Sequence, residues 1–73
     1  MFEKVKNLIV ETLNKDGRNV TKDADLIVDL GLNSLEIAEL VCAFENEFNI
    51  EIPDRDISKF RVIRDIVDYL ENR

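Results

Sequence analysis

Ser34 is the side chain whose neighbours best fit a chemical role. It follows Asn33, a favoured N-cap residue, and precedes Glu36, which stands three positions after the cap as in a capping box. A serine at a helix start ordinarily does no more than cap it. Here Asn33 takes that task, so the Ser34 hydroxyl is left free and pointing outward. A phosphodiester formed there would lie beside unpaired backbone N–H groups and the positive end of the helix dipole.

Other chemistry finds little support. Histidine is absent, which removes the commonest general base and the commonest metal ligand. A serine nucleophile would need Lys4, Lys6, Lys15, Lys22 or Lys59 brought close as its base. Asp23-Ala24-Asp25 runs into Leu26 and Ile27, which breaks the carboxylate ladder of a calcium loop, and no glycine-rich phosphate loop is present. Cys42, the one cysteine, has no cation within a helical turn to activate its thiol and no partner for an intramolecular disulfide. The expectation is a chain with no catalytic residues, no metal site and no enzymatic activity.

The elements that must position Ser34 follow from apolar spacing. Phe2, Val5, Ile9 and Leu13 form one stripe, predicting a helix from Phe2 to about Lys15 that stops at Asp16-Gly17. Residues 18–32 show no helical period, yet Val20, Ala24, Leu26, Ile27, Leu30 and Leu32 predict a long, packed loop. The next helix should run from Ser34 to about Phe48, with Ile37, Leu40, Val41, Phe44 and Phe48 as its core stripe. Pro53 interrupts the chain, leaving a short helix within Asp54 to Phe60, and a last helix starts near Val62 with Val62, Ile63, Ile66, Val67 and Leu70 inward. The fold class is all-α: three main helices, one short helix and a long loop between the first two.

On the opposite side of the helix that starts at Ser34, at about 100° per residue, Leu35, Ala38 and Cys42 fall together, flanked by Glu36, Glu39 and Asn46. Scattered surface apolar residues need no explanation of their own. Beside an outward serine, a small apolar strip inside an acidic rim has the character of a docking surface.

The totals bound the rest. A 73-residue chain supplies one core, so residues 1–73 are expected to be a single domain. An apolar share of 45% and a charged share of 36% suit a small globular body rather than a disordered chain. The formal charge of -6 opposes nucleic acid, whose phosphates dominate affinity, and favours basic protein partners. Apolar runs are too short for membrane insertion, and with the lone cysteine they point to a cytoplasmic monomer.

The run Asp29-Leu30-Gly31-Leu32-Asn33-Ser34-Leu35-Glu36-Ile37-Ala38-Glu39-Leu40 resembles the phosphopantetheine attachment motif of acyl carrier proteins. Glu45-Asn46-Glu47-Phe48 and Glu51-Ile52-Pro53-Asp54 extend the resemblance over nearly the whole chain, together with its size, acidity and helix order. The resemblance implies 4'-phosphopantetheine on Ser34, attached by a holo-carrier synthase (a phosphopantetheinyl transferase), and acyl intermediates carried as thioesters in fatty acid biosynthesis. It implies that Leu35, Glu36, Glu39, Glu45 and Glu47 meet acyl-transfer and chain-modifying enzymes through basic docking patches, and the apolar strip read from the helical wheel adds Ala38 and Cys42 to that partner-binding surface. It also implies an acyl-chain cavity lined by Leu40, Val41, Phe44, Ile57, Ile66 and Leu70, for which core packing is a sufficient alternative. One position departs: the family's usual Asp before the serine is Asn33, which caps about as well but changes the charge a transferase reads. That departure motivates a second reading, a specialised carrier for an aminoacyl, polyketide or other dedicated pathway. A third, of another class, is an unmodified helical interaction module.

Overall fold

The computed structural model describes residues 1–72. Helix α1 spans Phe2–Leu13 and buries Val5 and Ile9. It stops short of the predicted Asp16-Gly17 signal because Asn14 takes the left-handed conformation at φ 54° and closes it first; asparagine tolerates that region better than most residues with a Cβ. Gly17 instead opens a single 3₁₀ turn, Gly17–Asn19, capped by the Asp16 side chain through Arg18 N–H at 2.9 Å. A Cβ on Gly17 would meet side-chain atoms of Lys6 and Val10 at 3.2 Å. The glycine serves close approach to α1 rather than a left-handed stop.

The stretch between α1 and the next helix is packed, as its composition predicts: Val20, Ala24, Leu26 and Leu32 are all buried. Ile27 does not join them. It is 63% exposed, and neighbouring Val28 is 80% exposed. The Asp25 carboxylate accepts the N–H groups of both residues at 2.9 Å, forming a tight turn that holds their side chains out. Gly31, at φ 65°, returns the chain by donating its N–H to Ile27 O. The loop is tied to the far end of the sequence by Leu26 N–H on Arg61 O, Ile63 N–H on Ala24 O and Arg64 N–H on Lys22 O, with an isolated antiparallel bridge between Asp25 and Val62. Ion pairs Arg64–Asp23 (2.7 Å) and Arg61–Asp25 (3.4 Å) flank this seam.

Helix α2 spans Ser34–Phe48, the predicted range, and buries Leu40, Val41 and Phe44. Asn49 closes it in the left-handed conformation, the same device that ends α1. Helix α3 is shorter than the segment expected to contain it, Asp54–Ile57, with Pro53 before its first turn. Helix α4 spans Ile63–Glu71 and buries Ile63, Ile66, Val67 and Leu70. Its start is held by Asp65, which accepts the N–H groups of Arg61 and Val62. Helix α1 packs against α2 and α4, and Phe44, Ile9, Leu40, Ile63, Ile66 and Val5 are the largest fully buried side chains. Each such side chain stabilises the fold by about 1.5–3 kcal/mol through burial. No polar side chain is buried among the described residues, so this centre is purely apolar. The architecture is all-α, with three main helices and a short one.

Candidate functional site

Ser34 is the first residue of α2 and is exposed. The capping box predicted around it is complete: Asn33 Oδ1 accepts Glu36 N–H at 2.8 Å, and Glu36 Oε1 accepts Asn33 N–H at 3.1 Å. Among the described residues the Ser34 hydroxyl takes part in no hydrogen bond, and the Ser34 and Leu35 N–H groups have no protein acceptor. A phosphate on the serine oxygen fits this arrangement, because free N–H groups at a helix start favour an anion. The carboxylate of Glu36, two residues after Ser34, is occupied by the box and lies 3.7 Å from Lys15 Nζ, which tempers its repulsion of a phosphate.

An open cleft of about 480 Å³ has Ser34 in its wall. Helix α2 supplies Ile37, Ala38, Val41 and Cys42 to it, and Ile52 and Ile57 face them from the chain around α3, with Glu45 and Asp54 as its acidic groups. Of the six residues expected to line an acyl cavity, Val41 and Ile57 belong to this cleft. Leu40, Phe44, Ile66 and Leu70 lie instead in the packed core at 1–6% exposure. Ile37 and Ile52 are cleft residues that the sequence reading leaves out. Ile52 faces α2 only because the chain turns back after Asn49, and the Ile52-Pro53 pair is its sole local signal.

The outward strip of α2 is present. Leu35 is 69% exposed, and Ala38, Glu39 and Cys42, all exposed, share its side of the helix; Glu47 is exposed as well, but on the flank turned toward Lys4, Asn7, Leu8 and Glu11 of α1. The acidic residues divide into two groups. Glu39 and Glu47 stand in solvent, whereas Glu45 is half-buried and its Oε2 accepts Ile52 N–H at 2.8 Å. Glu36 is likewise committed to its cap. Helix α2 carries four glutamates and no lysine or arginine, so its field is negative whichever of them a partner touches. Ile27 and Val28 add exposed apolar surface on the loop before Ser34. Asp25, two residues before Ile27, is the signal for their turn, since Asp side chains cap N–H groups just ahead of them. The Asp25 carboxyl is held below its ordinary range first by Val28 N–H, then by Ile27 N–H, with Arg61 assisting and partial desolvation opposing. The Arg18 guanidinium and N–H lower Asp16 in the same way on the far loop.

The family model for the phosphopantetheine attachment site matches residues 3–70. An acyl carrier protein of Bdellovibrio bacteriovorus is 49% identical over 70 residues, covering 96% of this chain and 90% of its own. A solved structure of a putative acyl carrier protein from Mycobacterium tuberculosis superposes with a TM-score of 0.89 at 30% identity, covering 97% of this chain and 95% of its own. Members of this family carry a covalent 4'-phosphopantetheine and work with a synthase and acyl-transferring enzymes, which sets aside the unmodified interaction module. With sequence identity, family model and fold in agreement over nearly the whole chain, this chain belongs to the acyl carrier proteins, which are carriers and not enzymes.

Proposed function

We propose that Ser34 is the residue that bears the phosphopantetheine, and that the carrier serves fatty acid biosynthesis. The observation that carries the reading is the exposed Ser34 hydroxyl, free of the capping box and set in the wall of an apolar cleft. On attachment the Ser34 Oγ–H proton passes to a base on the transferase, the Oγ–P bond forms, and the nucleotide portion of coenzyme A leaves. The base is the transferase's on this reading, since among the described residues no side chain hydrogen-bonds to the Ser34 hydroxyl and the chain has no histidine. Once bound, the group supplies a thiol that holds acyl chains as thioesters.

The chain's own contribution is recognition and shelter. Leu35, Ala38 and Cys42 give a partner an apolar footing, and Glu39 and Glu47 give it charge to find. Glu36 and Glu45 add to that field while holding the cap and the turn after α2. Complementary charge favours fast, reversible encounters, which a shuttle needs. The Ile37, Val41, Ile52 and Ile57 lining suits an aliphatic chain. The reading is of one carrier domain acting as a cytoplasmic monomer. No described helix is long and apolar enough to cross a membrane.

Intact mass after incubation with coenzyme A, Mg²⁺ and a broad-specificity transferase tests the attachment. Wild type gains the mass of one phosphopantetheine and Ser34→Ala gains none; a gain that persists in Ser34→Ala refutes it. Asn33 favours a second reading, a carrier dedicated to aminoacyl or polyketide intermediates. Charging assays separate the two, and exclusive charging by an aminoacyl- or polyketide-activating enzyme would overturn the fatty-acid assignment.

A further inference from the structure

The far wall of the cleft is a weakly built element. Helix α3 has only the residues Asp54–Ile57, too few for helical hydrogen bonding to hold it in place alone. The backbone hydrogen bonds around it close locally: Asp56 and Ile57 N–H on Pro53 O, Ser58 N–H on Asp54 O, Lys59 N–H on Asp56 O and Phe60 N–H on Ile57 O. Something outside the segment must therefore place it.

Two side-chain contacts reach it from α4. Tyr69 Oη donates to Asp56 Oδ2 at 2.8 Å. The Tyr69 ring also meets Phe60 edge-on, with centroids 5.3 Å apart and planes at 75°. Asp56 directly precedes Ile57, a residue of the cleft wall. The near end of the segment is held by Glu45, which accepts Ile52 N–H. The wall is thus pinned to α2 at one end and to α4 at the other.

We propose that Tyr69 and Asp56 are positioning residues for the carried chain: their hydrogen bond latches α3 to α4 and so sets the length of acyl chain the cleft shelters. This rests on the reading that the chain lodges in this cleft. The latch is a hydrogen bond to a carboxylate, a class strong enough to shift a closed-to-open ratio by about ten-fold or more.

The test uses full-length carrier loaded with a series from butanoyl to palmitoyl, and reads thioester cleavage by hydroxylamine. In wild type, cleavage slows as the chain lengthens and then levels off where the cleft is full. Tyr69→Phe, which keeps the ring against Phe60, and Asp56→Ala, which removes the acceptor, lose about ten-fold of that protection or move the levelling point. Lys59→Gln, which removes the longer 3.9 Å contact to Asp56, leaves the profile unchanged. Tyr69 is the sole tyrosine and there is no tryptophan, so a change in ultraviolet emission in Asp56→Ala reports loss of the latch in the folded protein.

Loaded Tyr69→Phe and Asp56→Ala carriers with the wild-type profile would overturn the proposal. So would a wild type with no dependence on chain length. Intact mass of the same samples reports loading at Ser34 separately, so failure of the latch and failure of the carrier reading are distinguishable.

Discussion

Replacing Asn33 tests whether the cap sets Ser34 free. In Asn33→Ala the Glu36 N–H loses its 2.8 Å acceptor, while the residue-33 backbone N–H can still donate to the Glu36 carboxylate, so only one half of the capping box is removed. Caps of this kind are worth about 1 kcal/mol, within a range of about 0.5–2. For a domain of this size that corresponds to a fall in Tm of about 4–8 °C per kcal/mol. Asn33→Asp keeps an oxygen in place and adds a charge at the positive end of the dipole, worth about 0.3–1 kcal/mol. The Glu36 carboxylate beside it offsets part of that gain, so stability should stay within about 0.5 kcal/mol of wild type. Urea unfolding followed by circular dichroism measures both. The functional arm separates the variants further. Asn33→Ala leaves Ser34 as the nearest side chain able to accept from the first turn, so its hydroxyl is drawn into capping and loading by a transferase slows. Asn33→Asp restores the charge usual in the family and raises kcat/KM with transferases that dock through basic residues. An Asn33→Ala protein as stable as wild type and loaded at the same rate would refute the capping argument.

The Asp25 turn predicts a pH dependence. Its folded pKa lies below the ordinary 3.8, so its stabilisation is fully present above that value and is lost as pH falls through the depressed folded value. Asp25→Asn should therefore lower the urea midpoint at neutral pH and flatten its decline in acid; an acid profile in the Asp25→Asn variant that matches wild type would count against the turn as its source. Leu35, at 69% exposure, can be cut back to alanine at a cost to stability within about 0.5 kcal/mol. As an interface anchor its loss should reduce kcat/KM with acyl-transferring enzymes at least about five-fold, and unchanged kinetics across several such enzymes would remove the apolar strip from the docking surface.

What could be read from the chain in advance was what neighbours in sequence decide. Asn33 and Glu36 are three residues apart, and the α2 core stripe repeats within two turns, so cap, helix and outward serine were all legible. The end of α1 was not, because Asn14 and Gly17 can both take a left-handed stop, and the choice depends on how closely Gly17 must approach Lys6 and Val10. Ile27 was misplaced for a related reason. Its apolar side chain argues for burial, but the Asp25 carboxylate fixes the backbone of the turn first, and the side chain follows the backbone outward. The cleft was least legible of all. Leu40, Phe44, Ile66 and Leu70 have the right chemistry for a cavity, yet they meet one another across helices and fill the space between them. The opening lies where they do not meet, between α2 and a four-residue helix too short to be placed by its own pattern. Its position depends on Glu45 reaching Ile52 and Tyr69 reaching Asp56, contacts spanning 7 and 13 residues. The cap that frees Ser34 is therefore encoded locally and the wall of the cleft beside it by distant pairs, so, if Ser34 bears the arm and the cleft shelters its cargo as proposed, a carrier of this kind can change the chain it holds without disturbing the serine.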